Sequence, residues 1–456
     1  MNKKINNSTI LIVLIVIGLI LRLLFLFIGA KFYYGENIHT MGDTSSYVNS
    51  FINLINEGIY SFNLKNSESA FGRLPGYPFF FGIHYLLFGK YSYIATSISQ
   101  AILDTSVIYL IFFICRDNFK KDLVGIIASL IYCFYPFTIV WVPQICTEIF
   151  ANWLCFLILF LLTKNKYKTA SIVTIIAFYT RPYMAILMIA VLLKIFINSK
   201  NLRTSLKIIV QCSLIFWTLY LPWPVRNYIN HDKIVLLKPT GAGYERYRED
   251  IRSCRTWIQT WSTDVDNIIH KFSRNDYSSI PEDIMQKSGG HELLASTVQL
   301  ASNCGGGFYN WKTNKTYPNL QKNCDQQINE QFKQMTKNYK QNNYISYLID
   351  VPLKNIKKTL FKGISLQFST TKEILMISLF SFRSILLILG IIGILLNTKS
   401  IISYSYLIIY PLFLYFFICF IIRQLEMRYI LQADCILLIF SSYTIYHISK
   451  KIKIAY

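Results

Sequence analysis

Ten apolar runs punctuate the chain, at about residues 10–30, 91–115, 122–141, 146–163, 168–180, 183–198, 206–222, 374–396, 401–422 and 429–448. A membrane-crossing helix takes roughly 20 mostly apolar residues, so the pattern predicts an all-α polytopic membrane protein with about ten transmembrane helices. The pair of runs meeting at Thr180, Arg181 and Pro182 departs in length. Its first arm is short, and a Pro after an Arg leaves open a shallow hairpin in place of two full crossings.

Two polar stretches interrupt the runs. The first, residues 31–90, contains the apolar segment Tyr77 to Phe88, too short to span and read as an interfacial or re-entrant helix. The second, residues 223–373, is rich in Asn, Lys, Gln and Tyr and has no long apolar run. It reads as a small, mostly helical cap, with loops at Pro281 and at Gly305 to Gly307. The chain thereby divides into a transmembrane module over 1–222, the cap over 223–373, and C-terminal transmembrane helices over 374–456.

Lys and Arg cluster at alternate run ends: Lys3 and Lys4; Arg116, Lys120 and Lys121; Lys164, Lys166 and Lys168; Lys200, Arg203 and Lys207; Lys399; Lys450, Lys451 and Lys453. The basic ends face the cytoplasm, which puts both termini inside and both polar stretches outside. The first run lacks an A-x-A-like cleavage site and continues past Arg22 to Ala30, so it is expected to stay as the first span.

Composition agrees: 53% hydrophobic, 16% aromatic and only 15% charged residues exceed what a soluble domain carries. The formal charge of +22 is largely the topological signal together with a Lys-rich outer loop, so nucleic acid is not expected as a partner. Ten cysteines give no CxxC pair, and no HExxH, Walker loop or GxGxxG signals a zinc site or nucleotide fold. Cys254, Cys304 and Cys324 lie in the outer loop, where one disulfide can form in an oxidising compartment with one thiol left over. Neither an internal repeat nor a pair of interrupted spans of the transporter kind is present.

Threaded through this topology, six polar segments land at or beside one face: GDTSSY (Gly42 to Tyr47), RLPGYP (Arg73 to Pro78), Thr147-Glu148, TRP (Thr180 to Pro182), PWPVRNY (Pro222 to Tyr228) and EMRY (Glu426 to Tyr429). A carboxylate at Asp43 beside the bilayer is partly desolvated, which raises its pKa and suits it to accept a hydroxyl proton. Asp before Thr-Ser-Ser is equally good helix-capping chemistry. Arg73, Arg181, Arg226 and Arg428 each adjoin Pro or an aromatic residue. Guanidinium groups so placed pair bidentately with phosphate oxygens of an anionic headgroup, or snorkel to lipid phosphates. Glu148 and Glu426 can pair with these arginines. Arg22, Asp104, Arg383 and Asp434 fall inside predicted spans and read as ion-paired supports; a transporter or lipid flippase is the alternative that such residues suggest.

In order and placement, the six segments resemble bacterial members of glycosyltransferase family 39, which includes protein O-mannosyltransferases and lipid A aminoarabinose transferases. The resemblance implies a GT-C-type bundle whose extracytoplasmic loops form an active site, in a bacterial inner membrane. It implies Asp43 as catalytic base, Arg73 and Arg226 lining the donor site, and Glu148 as a second acid orienting Asp43 or a divalent cation. Tyr47, Tyr77, Arg181 and Arg428 complete the expected binding set. Thr44 stands where protein mannosyltransferases have Glu, a departure that weakens the case for a protein acceptor. The implied reaction is an inverting transfer of sugar from a polyprenyl-phosphate donor to a glycan, lipid or protein acceptor. The arginines would stabilise the departing phosphate.

Overall fold

The computed structural model describes residues 6–198, 201–239, 241–316, 322–361 and 371–455. Lys3, Lys4 and Lys200 of the basic clusters lie outside them. The described residues are helical, with turns and loops between helices and no strand. Six helices are long and apolar enough to cross a membrane: Asn7–Tyr34, Gly76–Phe119, Leu202–His231, Glu373–Leu396, Ile401–Ile422 and Met427–Lys451. The protein is therefore a polytopic membrane protein.

Of the roughly ten expected crossings, six have helices of crossing length and apolarity. The other four apolar runs form shorter helices: Asp122–Cys133, Thr147–Thr163, Tyr167–Thr180 and the stretch Pro182–Asn198. At 1.5 Å per residue, helices of this size reach roughly 18–26 Å, less than the ~30 Å of hydrocarbon. The run at 122–141 stops early because Tyr135 adopts extended backbone before Pro136, as the pre-proline clash demands. The TRP corner ends its helix in the same way, with Arg181 extended before Pro182.

Gly76–Phe119 is continuous in sequence but not straight. At Gly89 the backbone turns to φ +51°, where a Cβ is disfavoured. The 13-residue helix Gly76–Phe88 then folds back along Ser92–Phe119. The Tyr77 hydroxyl donates to Gln100 Oε1 at 2.8 Å, and His84 Nε2 lies 2.7 Å from Ser99 Oγ.

Arg22, Asp104, Arg383 and Asp434, expected as ion-paired supports, are paired. Arg22 Nε lies 2.6 Å from Asp104 Oδ2, both side chains being fully buried, and the Tyr132 hydroxyl donates to Asp104 Oδ1. Arg383 grips Asp434 bidentately at 2.8 and 3.0 Å, and Tyr415 donates to the same carboxylate. Ion pairing with added hydrogen bonds is what allows charge at this depth.

The chain forms two compact units: residues 1–238, 361–415 and 427–456 in the first, residues 239–360 and 416–426 in the second. The second is a small helical domain around Trp257, Phe272, Phe308 and Phe332. Cys304 and Cys324 form its disulfide, and Cys254 is left buried and free. Gly306 and Gly307, expected in a loop, instead open the helix Gly306–Thr313. Their amides donate to Asp325 Oδ1 and Asp250 Oδ2 at 2.8 and 2.9 Å, so side chains from elsewhere in the domain cap that helix.

Candidate functional site

Residues from five of the six polar segments meet within the first unit, and the contact is a row of alternating charges. Asp43 precedes the helix Thr44–Glu57 but makes no capping bond to it. Its Oδ1 instead accepts from Arg73 Nη2 at 2.7 Å and its Oδ2 from Arg428 Nη1 at 2.8 Å. Arg428 Nη1 also lies 4.0 Å from Glu148 Oε1, and that oxygen is 2.6 Å from Arg181 Nη2. Arg73, Asp43, Arg428, Glu148 and Arg181 thus alternate in sign, with a guanidinium at each end and one positive charge in excess.

Each guanidinium is held by more than its carboxylate. Arg73 donates from Nε to Ser46 Oγ at 2.6 Å, lies over the Tyr47 ring at 4.2 Å and has Nη1 3.1 Å from the Tyr47 hydroxyl. Arg181 donates from Nε to Thr147 Oγ1, and from Nη1 to the Tyr183 hydroxyl and the Arg428 carbonyl. Glu148 sits in the first turn of Thr147–Thr163, where the helix dipole favours a negative charge. The RLPGYP and TRP segments touch through Gly76. A Cβ there would lie 2.6 Å from the Thr180 nitrogen, so only glycine lets the two backbones approach. Tyr77 is fully buried behind the row, its ring edge-on to Tyr47 with centroids 5.2 Å apart.

These contacts decide the chemistry open to Asp43. Burial pushes its carboxyl up, but the Arg73 and Arg428 guanidiniums outweigh burial and hold it well below the usual carboxylate range. A general base at neutral pH needs a pKa near the working pH. Asp43 is therefore a poor proton acceptor, contrary to the desolvation expectation, and it is not a helix cap either. Guanidiniums face both carboxylates of the row. Among the described residues, no group of three His, Cys, Asp or Glu side chains is arranged to hold a metal ion.

Arg226 is not part of the row. It donates from Nη1 to the Ala70 carbonyl at 3.1 Å and from Nη2 to the Tyr60 carbonyl at 2.8 Å, close to the Tyr60 and Trp223 rings. It pins the loop that leads to Arg73, whose carbonyl accepts from the Tyr60 hydroxyl. Glu426, read as a partner for these arginines, accepts from Gln424 Nε2.

Sequence reasoning missed Lys238. This half-buried amine lies in the field of Arg73, Asp43, Arg428 and Arg181. Burial, and then the positive charge of Arg73, bring it down to about 7, against the opposing pull of Asp43. In sequence it is one Lys among many in a Lys-rich stretch, with no motif to single it out. Cys146, beside Thr44 and just before Glu148, is no activated nucleophile. Burial, Glu148 and Asp43 all push its thiol up, and all eight free cysteines are buried.

Among curated proteins none matches the chain. The resemblance to glycosyltransferase family 39 is overturned, because the family model that matches is a different one. With it go the expected GT-C assignment, the glycosyltransferase activity, the polyprenyl-phosphate sugar donor with its acceptors, the transporter or flippase alternative, and the bacterial inner membrane. What the chain is similar to, from residue 16 to residue 230 and so over just under half of its length, is GPI transamidase subunit PIG-U.

Proposed function

We propose that this chain is a non-catalytic membrane subunit of a GPI transamidase-type assembly. In this reading it holds the phosphate-bearing headgroup of the glycolipid while another chain supplies the nucleophile. The observation that carries the reading is the position of the charge row. Asp43, Arg73, Glu148 and Arg181 all fall inside the matched residues 16–230, at the ends of apolar helices. Three guanidiniums alternate with two carboxylates, and the Lys238 amine lies in the field of the same row, which leaves an excess of positive charge suited to an anionic headgroup. The absence of any exposed thiol among the ten cysteines is consistent with a holding role. By the Lys and Arg asymmetry, this end of the helices faces away from the cytoplasm.

The test is lipid retention. Full-length protein purified in detergent, offered equal amounts of a glycosylphosphatidylinositol and phosphatidylcholine, is expected to keep the former in native mass spectra. Arg73→Gln is expected to lose that preference while eluting as a folded monodisperse species. Equal retention of both lipids, or a preference unchanged in Arg73→Gln, would overturn the reading.

A further inference from the structure

The second unit carries an apolar face that its own core does not use. In the helical stretch from Tyr344 to Leu360, Val351, Pro352, Asn355 and Thr359 are buried. Tyr344, Ile345, Leu348, Ile349 and Leu353 are exposed, by 63%, 69%, 39%, 51% and 53%. The exposed apolar residues recur one helical turn apart, which makes a stripe and not a scatter. Lys354, Lys357 and Lys358 are exposed just beyond it, against a single acid, Asp350. Apolar bulk beside clustered lysines is the composition of a helix lying in a membrane interface.

The buried side of the same stretch fixes its level. Asn355 Nδ2 donates to the Cys419 carbonyl at 3.0 Å, and Thr359 Oγ1 lies 3.7 Å from Cys419 Sγ. Arg423 Nη2 donates to the Tyr347 carbonyl at 2.6 Å, with its guanidinium 4.1 Å from the Tyr347 ring centroid. Cys419 belongs to the last turns of Ile401–Ile422, a helix of crossing length and apolarity, and Arg423 follows its end. A helix bonded along its polar side to the last turns of a span lies where acyl chains give way to headgroups. Its opposite, apolar side then meets lipid.

We propose that the Tyr344–Leu360 stretch is an interfacial anchor. It buries Tyr344, Ile345, Leu348, Ile349 and Leu353 at the acyl–headgroup boundary and sets Lys354, Lys357 and Lys358 against anionic phospholipid headgroups. The proposal is independent of which headgroup the charge row holds. It explains why so much apolar surface stands outside the core of the second unit. It also gives the Lys-rich sequence of that unit a partner other than nucleic acid.

Spin labels test it in the full-length protein, reconstituted into nanodiscs of mixed phosphatidylcholine and phosphatidylglycerol. Labels at Leu348→Cys and Leu353→Cys are expected to be relaxed several-fold more by oxygen than by a water-soluble nickel chelate. A label at Gln286→Cys, exposed elsewhere on the same unit, is expected to show the reverse. Nickel access at Leu348→Cys matching that at Gln286→Cys would place the stripe in water. Protection from both reagents would place it against protein; either result overturns the proposal. In the Lys357→Glu, Lys358→Glu background the oxygen excess at Leu353→Cys is expected to fall. An unchanged value would overturn the part of the proposal that assigns anionic lipid.

Discussion

Arg428 places its Nη1 2.8 Å from Asp43 Oδ2 across 385 positions of sequence. It sits in the first turn of Met427–Ala455, the end of a helix where a positive side chain opposes the macrodipole. Asp43 offsets that cost, and with its other oxygen fastens Arg73 at the start of the folded-back hairpin. The row is therefore a structural tie between the first and last thirds of the chain as well as a source of local charge.

Replacing Asp43 leaves two guanidiniums, Arg73 buried and Arg428 at a helix N-terminus, without the carboxylate they share. The side chain is 30% exposed, so solvent screening reduces the loss. Asp43→Asn is expected to cost about 1–3 kcal/mol, measured as a lower midpoint of thermal unfolding in detergent. The pH dependence has a definite sign. A carboxylate whose folded pKa is depressed stabilises the fold above its unfolded pKa of roughly 3.9, and that contribution is lost as the pH falls further. Wild-type protein should therefore lose stability more steeply than Asp43→Asn on acidification below about pH 4.

Lys238 gives the headgroup site a pH response of the opposite kind. Its amine, brought down to about 7, is only partly protonated at neutral pH. An anionic headgroup favours the ammonium, so binding should take up a proton. Affinity for a phosphate-bearing lipid is expected to rise by up to about tenfold between pH 8 and pH 6. Lys238→Met should bind more weakly at pH 6 and show a flat profile. An equally steep profile in the variant would place the titrating group elsewhere.

The convergence at the row was legible because its residues flank apolar runs. Once those runs are threaded, Asp43, Arg73, Glu148, Arg181 and Arg428 fall on one side. Glu148 was legible as a partner for one of these arginines, but the pairing of Asp43 with Arg73 and Arg428 was not, since hydrogen bonding leaves no trace in spacing. Arg226 has the same Arg-beside-aromatic appearance as Arg73, yet it serves two backbone carbonyls. The pKa of Asp43 was misjudged because desolvation is visible from a position near the bilayer, whereas two opposing guanidiniums are not. The apolar run overstated helix length at 122–141, where Pro136 cuts the helix short, whereas the short arm ending at Thr180 was legible from its length and from Pro182. The resemblance failed because short polar motifs at a membrane face answer demands of charge and topology that more than one family meets.

Orientation is open to direct measurement through the second unit. Cys304 and Cys324 are paired and Cys254 is enclosed, so intact cells or sealed vesicles should take up no membrane-impermeant maleimide at these sites before reduction. After mild reduction Cys304, the less buried partner, is expected to react from the extracytoplasmic side, while Cys254 stays protected until the unit unfolds. Labelling of Cys304 only after the membrane is made permeable would invert the topology and turn the charge row toward the cytoplasm.

Lysine substitutions separate the two arginines that look alike in sequence. Arg73 uses three different nitrogens, Nε to Ser46, Nη1 to Tyr47 and Nη2 to Asp43. An ammonium on a flexible stem keeps the charge but not this fork. Arg73→Lys is expected to lose about tenfold in affinity for a phosphate-bearing headgroup, close to 1.4 kcal/mol. The loop from Tyr60 to Ala70 should stay closed, since the Tyr60 hydroxyl bonds the residue-73 carbonyl and not its side chain. Arg226→Lys should do the reverse. It gives up the paired carbonyl contacts to Tyr60 and Ala70, so the loop loosens and trypsin cuts faster after the exposed Lys65, with affinity little changed. If both variants lose affinity alike and neither alters the rate of cleavage at Lys65, the two arginines share one role at the site. The division between an arginine that meets the headgroup and one that holds a loop is then wrong.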